Sequence, residues 1–251
     1  MNWFTPKCPV GAEDKAWIDE SMLWLAEKFG RDALRDAVVA LPTDEFFPDE
    51  FSEDEADVRA LIDRVCAYMG VDPGRVELEF FTDERAAPRL GLPFDESSHR
   101  GIAGHYRKRR DKFLINIESS QLNDPMFLVA TSAHELGHVR LLGEGRVSAA
   151  FEDHEPLTDL LTVFLGMGVF TGNCVFSFRQ WTDAFSQGWQ TERRGYMTEE
   201  MFGYALALFA WARGEERPPA WSEYLQGNVN AYFKGAQKYL EKTGDTIFER
   251  L

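Results

Sequence analysis

The residues best suited to chemistry in this 251-residue chain lie in one short stretch, His134-Glu135-Leu136-Gly137-His138. The order is H-E-x-x-H. On a helix, with about 100° between successive side chains, the two histidines stand a turn apart on one face and both imidazoles reach one metal ion. Glu135 is turned to the side, where it contacts metal-bound water without ligating the metal. A zinc ion lowers the pKa of such water to about 7, and a neighbouring carboxylate can take its proton as the water attacks a carbonyl. These polar residues interrupt an apolar run that begins at Met126. Polar groups in such a run need partners or a metal.

A catalytic zinc site has a third protein ligand and one position left open. Downstream lies Glu152-Asp153-His154-Glu155-Pro156-Leu157-Thr158-Asp159. Glu155 and Asp159 are four apart and share a helix face. Asp159 heads an apolar helix, so its carboxylate requires a partner. One arrangement answers both needs: Glu155 ligates zinc, and Asp159 accepts the ring N–H of a ligating histidine and fixes its tautomer. His154 is the alternative ligand, because histidine also binds zinc well. It points about 100° away from Glu155 on the same helix, and Glu155 is preferred because it alone pairs with Asp159.

His134-Glu135-Leu136-Gly137-His138 followed by Glu155-x-x-x-Asp159 resembles the gluzincin zinc metallopeptidases, the thermolysin type, over a core at residues 101–168. The resemblance implies His134, His138 and Glu155 as zinc ligands, Glu135 as general base, and Asp159 as support for a ligand histidine. It implies a peptide or protein substrate, laid in extended form along the strand before the motif helix, which gives Phe113, Ile115 and Ile117 a substrate-binding role. Gluzincins also carry a downstream His or Tyr that stabilises the oxyanion. No histidine follows His154, so Tyr196 and Tyr204 are the downstream candidates, with Arg146 and His105 beside them. The chain is similar to a compact gluzincin core with its own N- and C-terminal additions. The metzincin pattern fails, since Leu141 and Glu144 stand where it needs Gly and His. The rival to an enzyme is a zinc-containing peptide-binding or regulatory module using the same fold. A fourth protein ligand, such as His154 joining Glu155, would favour it.

The surrounding elements follow from periodicity. Residues 12–29 form an amphipathic helix that stops at Gly30, and residues 37–41 suit a short strand. Ser52 and Glu55 form a capping box for a helix that ends at Gly70. Val76, Leu78 and Phe80 alternate with glutamates as in a half-buried strand, and a long loop follows. Residues 102–107 and 112–117 read as two strands joined by a basic turn at Arg107-Lys108-Arg109-Arg110. Asp124 and Pro125 open the motif helix, which runs to about Leu142. A second helix runs from about Asp153 to Gly166, and a turn is expected at Thr171-Gly172-Asn173. Thr198 caps a helix to about Arg213, and one or two more complete the chain. The expected fold is a single α+β domain over residues 1–251. A small antiparallel or mixed sheet packs on the motif and glutamate helices, with further helices at both ends.

The composition narrows the partners. Lys and Arg total 27 against 42 Asp and Glu, a net charge of −15. That argues against binding nucleic acid or an anionic membrane surface. The uncharged stretch at 160–178 is broken by Gly166 and Gly168, which favours a buried helix over a membrane span. The N-terminus shows no basic segment leading into an apolar one, and three distant cysteines make no disulfide framework, so a cytoplasmic location is expected. Oligomeric state is not legible.

Overall fold

The computed structural model describes residues 5–52, 54–81, 107–109, 112–118, 122–148, 150–175 and 196–248. Residues 102–106 of the strand expected at 102–107, His105 among them, and the long loop before it lie outside them.

α1 (Ala12–Phe29) buries Ile18, Met22, Leu25 and Ala26 on one face. A short α2 (Arg31–Arg35) follows. α3 (Glu55–Met69) ends at Gly70 in the left-handed conformation. Its cap is Asp54, not Ser52: the Asp54 carboxylate accepts the Asp57 amide at 2.8 Å, while Ser52 gives both its amide and hydroxyl hydrogens to Asp57. Residues 37–41 form no strand. They are held by single contacts instead. Ala40 N–H donates to Gly166 O at 3.0 Å, and Arg213 donates to Ala37 O. A Cβ on Gly166 would lie 2.1 Å from Val38 O, so only glycine permits this approach.

The sheet comprises β1 (Val76–Phe81), β2 (Arg107–Arg109) and β3 (Lys112–Glu118) in the order β1-β3-β2. The α+β class fits, but the main pair is parallel rather than antiparallel, with Val76 opposite Phe113 and Phe80 opposite Ile117. Parallel neighbours need a long connection, and the chain between Phe81 and Lys112 supplies one. Antiparallel pairing is confined to β2 on β3. Three residues of the expected basic turn, Arg107 to Arg109, are therefore strand.

α4 (Pro125–His138) is capped by Asp124, whose carboxylate accepts the Phe127 amide at 3.0 Å. Every residue from Phe127 to His138 is buried. The helix continues past His138 not as α-helix but as a wider π-helical turn, Val139–Gly143. α5 (His154–Phe164) follows, and residues 168–175 form α6, so Thr171-Gly172-Asn173 lies in a helix rather than a turn. α7 (Glu199–Ala212) is capped by Thr198 as expected, and α8 (Gly227–Thr243) follows a short 3-10 turn at Ala220–Tyr224. Among the described residues, no helix is long and apolar enough to cross a membrane.

Two apolar clusters organise these elements. One joins α1, α5, α7 and α8. The other joins α3, β1, β3, α4 and α6. α4 and α5 belong to different clusters, so the helices carrying the motif residues meet at the seam between them. Phe113, Ile115 and Ile117 fill the second cluster, each no more than 2 % exposed.

Candidate metal centre

The seam brings together residues more than one turn of chain apart. His134, Glu135 and His138 come from α4, Glu155 and Asp159 from α5. His134, Glu135, His138 and Asp159 are all buried, and Glu155 is partly buried. Ligand atoms of His134, His138 and Glu155 lie within 4.8 Å of one another, a group that could hold a metal ion. Glu155 Oε2 is 3.1 Å from His134 Nε2 and 3.4 Å from His138 Nε2. The imidazoles meet edge to face, 4.7 Å between ring centres.

The donor set suits a borderline dication: two imidazole nitrogens and one carboxylate oxygen is a common catalytic zinc set. The electrostatics point the same way. Burial alone would push His134 toward its neutral form, but its hydrogen bonds to the Asp159 and Glu155 carboxylates outweigh it and hold its pKa well above the usual histidine value. Burial would likewise raise Glu155, but the His138 and His134 imidazoles outweigh it and hold the carboxyl well below its usual range. Two carboxylates converging on buried imidazoles draw positive charge to this point, and a metal ion answers that demand as a proton does.

The surroundings brace the group. His134 Nδ1 donates to Asp159 at 2.8 Å, which leaves Nε2 facing Glu155. Asp159 also accepts the Met197 main-chain amide at 2.9 Å. Beside Met197, the Tyr196 ring lies 5.4 Å from that of His134. Burial and the charges of Glu155, Asp159 and Glu135 push the Tyr196 pKa well above its usual value, so the phenol stays protonated.

The other expected candidates are placed differently. His154 stands beside the group, its ring 5.9 Å from that of His138 and its Nδ1 3.5 Å from Glu155 Oε1, but it does not belong to the converging set. Tyr204 donates to buried Asp19 at 2.8 Å, within the helical cluster. Arg146 stacks on Phe29 and pairs with Glu144. The side chains of Phe113, Ile115 and Ile117 are buried in the second apolar cluster.

Three contributors are not visible from residue spacing alone. One is the Met197 amide, since a main-chain donor has no side-chain signature. The others are Gly137 and Thr158. A Cβ on Gly137 would lie 2.7 Å from Thr158 Cγ2, so the glycine inside the motif lets α4 and α5 approach. Thr158 Oγ1 lies 3.2 Å from His138 Nδ1. A hydroxyl three residues after Glu155 on the same helix was the available signal. Among known proteins, no family model, no curated sequence and no solved structure matches the chain.

Proposed function

We propose that the protein is a zinc-dependent metallopeptidase of gluzincin type, hydrolysing peptide bonds. The observation that carries this reading is the convergence of His134, His138 and Glu155, with Glu135 on the next position of the same buried helix. Zinc held there would acidify a water to about pKa 7 and polarise a carbonyl. Glu135 takes the proton of the attacking water and passes it to the leaving amine. Tyr196, kept protonated by burial and by the neighbouring carboxylates, would donate its O–H to the developing oxyanion. Asp159 keeps His134 in its ligating orientation. Among the described residues three ligands converge and His154 stands outside the set, which supports an open position for water over a closed structural site.

Zinc-loaded protein incubated with a mixed peptide library is expected to cleave it. A chelator should stop cleavage and added zinc should restore it. Fully loaded protein that cleaves nothing would remove the peptidase reading and leave the non-catalytic metal module in its place.

A further inference from the structure

Each histidine of the group needs a partner for its second ring nitrogen. For His134 that partner is Asp159, as the resemblance implies. For His138 it is a hydroxyl, Thr158 Oγ1 at 3.2 Å, with both residues buried. The direction of this hydrogen bond follows from the hydroxyl's other contact. Thr158 Oγ1 also lies 2.7 Å from the main-chain carbonyl of His154. A carbonyl only accepts, and a hydroxyl has one hydrogen to give. That hydrogen goes to His154 O, so Thr158 accepts from His138 and Nδ1 must carry the proton. The neutral imidazole then has its lone pair on Nε2. This is the nitrogen that faces Glu155.

We propose that Thr158 is a positioning residue of the metal centre, fixing His138 in the tautomer and orientation that offer Nε2 to the ion. The proposal rests on the metal-centre reading and does not depend on peptide hydrolysis. Helix geometry explains why one helix serves both histidines. Around α5, Thr158 and Asp159 lie about 60° and 40° to either side of Glu155. Adjacent residues on α5 therefore meet histidines one turn apart on α4, with the third ligand between them. Gly137 belongs to the same device. Thr158 is β-branched and stiff, and its methyl occupies the place where any larger residue at 137 would put a Cβ.

The test is zinc affinity of the full chain, measured by competition with a chromogenic chelator, for the wild type, Thr158→Val and Thr158→Ser. Valine keeps a methyl against Gly137 and removes the acceptor. It is expected to weaken zinc binding ~10- to 100-fold, the usual cost of losing an outer-shell partner. Serine keeps the acceptor and should return affinity close to that of the wild type. A merely structural role would instead lower the unfolding temperature of the metal-free chain without this split between valine and serine. Thr158→Val binding zinc as tightly as the wild type would overturn the proposal alone, as would equal weakening in both variants. A wild type that takes up no zinc would overturn the metal centre and this proposal together.

Discussion

Glu135→Gln is expected to keep its zinc and lose peptide hydrolysis, with kcat reduced roughly 10²- to 10⁴-fold, the typical contribution of a positioned general base. The substitution is nearly isosteric and removes only the ability to take a proton. Glu135 is buried on α4 beside His134 and is not one of the three converging ligands. Metal uptake should therefore be unchanged. With zinc held by the three converging ligands, a carboxylate next to His134 on the same helix would flank the ion and could take the proton of a bound water. The check is a turnover assay on wild type and variant loaded to the same zinc content. Equal turnover would show that Glu135 is not the base, and loss of zinc would show that it serves the metal instead.

Asp159→Ala should carry the largest stability penalty in the site. The carboxylate is buried and accepts two hydrogen bonds, from His134 Nδ1 and from the Met197 amide. Removing it strands both donors in the seam, each at a cost on the order of 1–3 kcal/mol. Set against a total stability of roughly 5–15 kcal/mol, this is a large share. It also frees the His134 ring and detaches the segment that carries Tyr196. Denaturant unfolding of the metal-free chain should show the loss, and zinc affinity should fall ~10- to 100-fold. Asp159→Asn, which keeps the shape and one acceptor, should recover most of the stability and less of the affinity. A variant that unfolds with the wild type would mean the contacts are dispensable.

The site was more legible than the fold around it, for a physical reason. Both chemistry-bearing patterns lie within helices, where a spacing of four residues fixes a shared face regardless of the rest of the chain. His134 with His138, and Glu155 with Asp159, needed only that rule and a capped helix start at Asp124. What spacing could not supply is the contact between helices. Thr158 faces His138 only because Gly137 lets α5 come close, and a helix sequence does not say which neighbour it meets. The Met197 amide was hidden for the same reason. Strand pairing was hidden for a different reason. Alternation at Val76 to Phe80 marks a half-buried strand but not its pairing, and β1 lies parallel to β3, which the long connection between them permits. At residues 37–41 the β-branched, apolar run suited a strand, but its backbone meets Gly166 and Arg213 rather than a neighbouring strand. Thr171-Gly172-Asn173 has the composition of a turn, yet its apolar neighbours carry α6 into the core, and burial overrides local preference.

Zinc content of the purified full chain, measured by elemental mass spectrometry beside His138→Ala, decides whether His134, His138 and Glu155 hold a metal. The wild type is expected to hold a single stoichiometric zinc ion and the variant to lose it, because Nε2 of His138 is one of three converging donors. A wild type without zinc after loading, or a variant that holds as much as the wild type, would contradict it.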